Sequence, residues 1–148
     1  MLVLHSTRFV YCSNNNQRMD KSISITEGVE VSVSTQFRAD VSQSTDHSYF
    51  FNYRIEIENR NSYSVKLLHR DWFIFDSLNP PIHVSGEGVI GQQPELEPGE
   101  SYSYTSGCEL NSEIGSMHGF YTFLNLNTNE IFRVNIPTFQ LIFPGRFN

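Results

Sequence analysis

The chain has 148 residues and a formal charge of −6 at pH 7, and this length suffices for one domain with its own core. Acidic residues outnumber basic ones, and the excess of positive charge that is typical of nucleic-acid-binding proteins is missing, so we expect no nucleic-acid partner. No apolar run reaches about 18 residues, so we predict no transmembrane helix and no membrane partner. Cys12 and Cys108 are too few for a disulfide framework, and we interpret them as free thiols in a reducing cytoplasm.

Residues 1–18 differ from the rest of the chain. They show no sustained period, contain no acidic residue and end in the polar run Ser13 to Arg18. We predict that they form a poorly ordered leader, and we leave open that they are a mis-assigned start upstream of a true initiator at Met19. Residues 19–148 are then expected to form one domain.

Strict alternation of apolar and polar residues predicts two strands, Val29 to Phe37 and Tyr49 to Asn59. The polar segment between them, residues 40–48, is expected to be a loop. A third strand, Val65 to Ser77, carries apolar residues on both faces, which predicts a central position. We expect the single tryptophan, Trp72, to lie in the core.

Shorter strands are predicted after the third. Asn79-Pro80-Pro81 is expected to end that strand, because proline cannot donate to a central ladder. We then expect a short strand at 82–84, another at 101–106 and a loop at 110–115. A hairpin of 119–127 with 130–136 follows, and we expect Pro137 to interrupt its second strand. No window shows helical periodicity, so we predict an antiparallel β-sandwich.

Three glycines, Gly86, Gly88 and Gly91, have the G-x-G-x-x-G spacing of dinucleotide-binding proteins. Pro94 and Pro98 follow, so the helix that such a site requires cannot form. A weaker hypothesis is an anion-binding nest of backbone amides at Gly86, Glu87, Gly88 and Gly91. We favour a β-bulge or a tight crossing between the sheets, where a side chain would not fit.

Two further side-chain groups are candidates for chemistry. His69 and Asp71 alternate along one strand and would share a face; they could provide two metal ligands, but we identify no third. Cys108 and His118 could form a nucleophile–base pair. We favour a surface polar pair and a buried cysteine, and we predict no catalytic residue, metal or cofactor.

Several motifs in a fixed order resemble the ApaG family. The resemblance covers residues 25–148, and one position departs from the family pattern, since Asp71 stands where a histidine usually precedes the tryptophan. The motifs are Leu67 to Trp72, Gly86 to Pro94, Leu96 to Glu100, Tyr104 to Gly107, Gly115 to Gly119 and Ile136 to Phe139.

The resemblance implies an immunoglobulin-like or fibronectin type III-like β-sandwich in the bacterial cytoplasm. Relatives are linked genetically to diadenosine tetraphosphate hydrolase and to cobalt and magnesium homeostasis. Similar domains occur in eukaryotic F-box proteins and in a polymerase-delta-interacting protein, where they look like partner-binding modules. No catalytic residue comes with the family.

Our leading hypothesis is a non-enzymatic module that binds another protein through strand edges or the glycine-rich loop. The alternative is a sensor in which that loop binds a phosphate-containing small molecule or nucleotide. The sequence leaves open whether the chain forms a homodimer.

Overall fold

The structure, a computed structural model, describes residues 21–147. The predicted leader and the start at Met19 lie outside the described residues. Two short 3-10 turns, Ser44–Asp46 and Pro144–Phe147, accompany the strands. The described strands are β1 (Lys21–Thr26), β2 (Val29–Phe37), β3 (Tyr49–Asn59), β4 (Val65–Asp76), β5 (Asn79–Glu87), β6 (Glu95–Leu96), β7 (Ser101–Leu110), β8 (Ile114–Asn125) and β9 (Ile131–Ile142).

The described strands form two sheets. The first has the order β1-β2-β3-β7, and the second has the order β5-β4-β8-β9 with β6 paired to one end of β4. Every pairing between them is antiparallel. This confirms the predicted antiparallel β-sandwich.

The two strands with strict alternation, β2 and β3, have the bounds that the sequence predicts. Their register places Val31 opposite Ile57 and Val33 opposite Ile55, and all four side chains are fully buried. Burial of each such side chain stabilises the fold by roughly 1.5–3 kcal/mol. The facing layer of the core comes from the second sheet.

Trp72 lies in the centre of the core, as predicted. Its ring centroid is 5.4 Å from that of Tyr53, 5.9 Å from that of Phe139 and 6.5 Å from that of Tyr121. Aromatic pairs at these separations add packing energy beyond their buried area.

Across residues 21–147, no helix is long and apolar enough to cross a membrane.

The position of β4 in the sheet is predicted correctly, but its burial is not. The strand lies between β5 and β8. Trp72 and Ile74 face the core, whereas Phe75 is 46% exposed and Phe73 is half-buried. A sheet of a two-layer sandwich has one inner face, so aromatic residues at the alternate positions must lie outside.

Prolines do not end the strands as we predicted. β4 stops at Asp76, and Pro80 and Pro81 lie inside β5. Because β5 is at the edge of its sheet, a proline can point its missing donor toward solvent. Pro137 likewise lies inside β9, beside a bulge where the pairing with β8 shifts by one residue. The predicted 110–115 loop shortens to residues 111–113.

The strand β1 was not predicted, because its alternation is inverted. Ile23 and Ile25 point to solvent, while the small polar side chains face β9. Ser24 Oγ donates to the Asn135 carbonyl oxygen at 2.8 Å, and the Asn135 amide donates to Thr26 Oγ1 at 3.2 Å. These two bonds connect the sheets along one side of the sandwich.

Candidate functional site

Three stacked rings cross the outer face of the second sheet. The register places Phe73 opposite His83 on β5 and opposite His118 on β8. The Phe73 centroid is 4.6 Å from that of His83 with an interplanar angle of 4°, and 5.2 Å from that of His118 with an angle of 16°. We call these three residues the ring row. Its outermost member, His83, has a side chain that is 51% exposed.

A second aromatic contact lies beside the ring row. The Phe120 ring is tilted toward Phe73, with centroids 6.4 Å apart. The Arg133 guanidinium carbon stands 4.3 Å above the Phe120 ring, a cation–π contact. An exposed contact of this kind contributes about 0.5–1 kcal/mol. The outer face therefore combines aromatic carbon with a fixed positive charge.

Asp71 lies between two histidines on the same face. Its Oδ1 is 2.8 Å from His83 Nε2, and its Oδ2 is 3.4 Å from His69 Nδ1. Burial alone would raise the pKa of this carboxyl, but hydrogen bonds from His83, Ser85 and His69 outweigh it, so the pKa of Asp71 lies below its ordinary value. The predicted pairing of His69 with Asp71 is confirmed, and His83 is the partner that the sequence did not reveal.

The structure separates the residues that the sequence suggested for a nucleophile–base pair and adds no third metal ligand to His69 and Asp71 among residues 21–147. Among residues 21–147, no three histidine, cysteine or acidic side chains are placed to hold a metal ion. Cys108 is buried in the first sheet, whereas His118 lies exposed on the outer face of the second, so the hypothesis of a pair between them is wrong. Burial raises the pKa of the Cys108 thiol to about 11, which keeps it protonated.

An apolar rim adjoins the ring row where β4 turns into β5. It consists of Phe75, Leu78 and Ile82, whose exposed fractions are 46%, 68% and 48%. Phe75 follows Phe73 on the outer face of β4. Ile82 pairs with the core-facing Ile74, so its exposed side chain lies on the other face of β5, at the edge of the sheet. Exposed apolar groups that cluster beside polar ones are typical of interaction surfaces.

The glycine-rich loop follows β5 and is anchored to β4. Arg70 Nη1 donates to the carbonyl oxygens of Glu87 and Gly88 at 2.9 and 2.8 Å. At Gly88, where φ is +58°, a Cβ would lie 2.0 Å from the Gln92 carbonyl oxygen. A side chain does not fit there, which agrees with the structural interpretation that we favoured for this glycine.

One amide of the proposed nest, that of Gly88, and two neighbouring amides already have backbone partners. The amides of Gly88, Val89 and Gln92 donate to the carbonyl oxygens of Leu68, Gln92 and Val89 at 2.9, 2.8 and 3.0 Å. Gly86 is part of β5 and lies opposite Arg70 in the β4 pairing. Glu87 lines a shallow concavity of about 280 Å³ with Gly91 and places a carboxylate there. The nest at Gly86, Glu87, Gly88 and Gly91 stays a prediction.

Comparison with known proteins assigns the family. The family model of the ApaG domain matches residues 39–125. The chain belongs to the ApaG family. A Protein ApaG of Methylobacterium radiotolerans is 44% identical over 119 residues, which are 80% of this chain and 91% of that one. A Protein ApaG of Anaeromyxobacter dehalogenans is 39% identical over 127 residues, 86% of this chain and 99% of that one.

A solved structure supports the same assignment. A crystal structure described as an ApaA protein of Bordetella pertussis matches with a TM-score of 0.76 and 38% identity, over 78% of this chain and 94% of that chain. Within this ApaG family chain, the ring row and Asp71 lie inside the segment that the family model matches. Arg133 lies on β9, beyond that segment.

Proposed function

We propose that the chain is a non-enzymatic module that binds another protein through the outer face of its second sheet. The observation that carries this proposal is the exposed ring row, His83, Phe73 and His118, together with the apolar rim. Aromatic side chains and arginine are enriched where protein interfaces gain most of their binding energy. A surface of this composition supports binding better than it supports chemistry.

The polar groups on this face indicate what a partner should present. The Asp71 carboxylate lies between two imidazoles, and the Arg133 guanidinium covers Phe120. A partner segment that adds an aromatic or aliphatic side chain over Phe75 and a carboxylate beside Arg133 would match both features. By resemblance, such a partner would act in divalent-cation homeostasis or diadenosine tetraphosphate metabolism.

We further propose a cytoplasmic location and an immunoglobulin or fibronectin type III subtype for the sandwich. The free, buried thiol of Cys108 supports a reducing compartment. The chain crosses between the sheets from β3 to β4 and from β7 to β8, and such crossings support a Greek-key subtype.

Site-specific cross-linking in cells tests the interaction surface. Phe75 is replaced by the photoreactive analogue p-benzoylphenylalanine in the full chain, and a matched control carries the analogue at Ser103, an exposed position on the outer face of the first sheet. We expect one protein to be captured reproducibly from position 75 and not from position 103. Capture of the same proteins at both positions, or of none, would overturn the proposal.

A further inference from the structure

The strand β5 has an open edge, and we propose that a second copy of this chain pairs with it. The pairing is antiparallel and two-fold symmetric, with Ser85 at its centre. β5 is the terminal strand of its sheet and packs extensively only against β4 among the described strands. This inference rests on the proposed function, since it names a second copy as one partner of the interaction module.

Two backbone bonds fix which residues of β5 face this edge. The Gly88 amide donates to the Leu68 carbonyl at 2.9 Å, immediately beyond the paired residues Glu87 and His69. Because the residues of an antiparallel strand bond alternately to either side, Gly86, Val84 and Ile82 then bond to β4. The backbone groups of the residues between them point away from the sheet.

The opposite side of β4 gives the same alternation. The Ser77 amide donates to the Ile114 carbonyl at 3.1 Å, which continues the register of β4 with β8. Counting back in steps of two, Phe73 and Asp71 bond toward β8, so Trp72 and Arg70 bond toward β5. His83, Ser85 and Glu87 therefore carry outward-facing amide and carbonyl groups.

The usable edge is short and has defined ends. The next outward position toward the N-terminus is Pro81, which has no amide hydrogen to donate. Beyond Glu87 the chain enters the glycine-rich loop at Gly88. An added strand can therefore pair with residues 83–87 and no further, and the same segment of a second copy matches this length in reverse.

The pairing of His83 with Glu87 selects the register. Pairing about Ser85 places His83 of each copy opposite Glu87 of the other, and Ser85 opposite itself. A shift of the centre to Val84 would instead place Glu87 opposite Pro81, which cannot donate. In the Ser85 register the imidazole of His83 lies between Asp71 of its own chain and a carboxylate of the second copy. An imidazole directly opposite a carboxylate can donate a hydrogen bond to it, and such cross-strand pairs stabilise a sheet.

The exposed side chains of β5 fit the same arrangement. The ring of His83 stacks on Phe73 with one face, and its other face points past the edge of the sheet. Ile82, 48% exposed, precedes His83 and points to the opposite face of the strand at the same edge. A second copy would cover both groups and would join the two second sheets into one continuous sheet.

Sedimentation velocity on the full chain, from micromolar to millimolar concentration, tests the proposal. We expect a reversible dimer of twice 17.1 kDa. Ser85→Pro removes an outward backbone donor and the hydroxyl bond to Asp71 but leaves the backbone bonds between β5 and β4 in place. It should abolish the dimer, whereas Ser85→Ala, which loses only the hydroxyl, should still dimerise. The matched control, Ser103→Pro, alters an exposed residue of β7, an edge strand of the first sheet, and should dimerise like the wild type.

A cysteine variant tests the register independently. Directly opposed residues of a hydrogen-bonded antiparallel pair have Cα atoms about 5.5 Å apart, within reach of a disulfide. Ser85→Cys should therefore cross-link two chains on mild oxidation, whereas Ser103→Cys should not. A chain that stays monomeric at millimolar concentration, or a dimer that persists in Ser85→Pro, would overturn the inference. If such a chain still captured its partner from position 75, the proposed function would stand without it.

Discussion

The guanidinium of Arg70 lies against the Cα of Gly86, so that a Cβ at this glycine would stand 3.0 Å from both Nη1 and Nη2. The same guanidinium donates to the next two carbonyl groups, those of Glu87 and Gly88. The glycine therefore gives the arginine room to reach the loop backbone. The Arg70 side chain of β4 therefore holds the first residues of the glycine-rich loop in place through these two hydrogen bonds.

Removal of the Arg70 side-chain charge should loosen this loop. Arg70→Met removes two charge-assisted hydrogen bonds to partly exposed carbonyl groups, and we expect the free energy of unfolding to fall by about 2 kcal/mol. Urea denaturation measures the loss, and faster amide exchange of residues 88–92 locates it. Arg133→Met, which removes only an exposed cation–π contact, should cost less than about 1 kcal/mol. Equal losses for the two variants would contradict this account.

The two glycines of the loop with positive φ should respond differently to alanine. Gly88→Ala combines a left-handed backbone with a Cβ that would lie 2.0 Å from the Gln92 carbonyl oxygen, so we expect a loss of at least about 3 kcal/mol. Gly91→Ala has a similar φ of +70° but no atom within 4 Å of its Cβ, and should cost about 1–2 kcal/mol. The unfolding midpoints of the two variants measure the two losses of stability. Equal losses would contradict this expectation, because they would mean that the backbone at Gly88 moves aside for a Cβ at little cost.

The sequence predicts the inner layer of this fold better than its edges. β2 and β3 are predicted to the residue because one face of each is buried in the core and the other, which carries polar side chains, is mostly half-buried, which imposes strict alternation. β1 is missed because Ile23 and Ile25 face solvent there. Pro80 and Pro81 are misinterpreted, since the rule that excludes proline from strands does not apply at a sheet edge.

The candidate site is predicted in part for a related reason. His69 and Asp71 are two residues apart on one strand, so their shared face follows from the strand period alone. The approach of His83 to Asp71 depends on the register between β4 and β5, which no local pattern specifies. The ring row depends on two registers, that of β4 with β5 and that of β4 with β8. Because neither can be predicted from a local pattern, the sequence indicates a buried strand around Phe73 and not an exposed face.

A buried pair of hydroxyl groups offers a test of the core. Tyr104 and Tyr121 hydrogen-bond to each other through their hydroxyl groups, and both side chains are buried. Tyr104→Phe should leave the Tyr121 hydroxyl without this partner and destabilise the fold by about 1–3 kcal/mol. Tyr104→Phe combined with Tyr121→Phe should cost clearly less than the sum of the single changes, as a double-mutant cycle measures. Additive losses would indicate that other groups satisfy the two hydroxyls.

Acid should destabilise the chain through Asp76. Burial would raise the pKa of this carboxyl, but hydrogen bonds from Ser112 and from the amides of Asn111 and Leu78 outweigh it and hold its pKa below the ordinary value of 3.8. A group whose pKa is lower in the folded state contributes stability above its unfolded value and loses it as the pH falls through the folded value.

The variant Asp76→Asn removes this titration. At neutral pH we expect the variant to be less stable than the wild type, and the difference in unfolding free energy to shrink as the pH falls below about 4. Urea denaturation at a series of pH values measures this difference. A gap that stays constant down to the acid transition would contradict the assigned role of Asp76.

The central claim is that partners bind the outer face of the second sheet and not the glycine-rich loop. Its most direct test is to titrate the protein captured from position 75 into the isotopically labelled full chain and to map the amide shifts by NMR. We expect the shifts to concentrate on β4, β5 and β8 around Phe73, and to be lost in Phe73→Ala. Shifts confined to residues 86–92, or reproduced there by inorganic pyrophosphate alone, would contradict the claim.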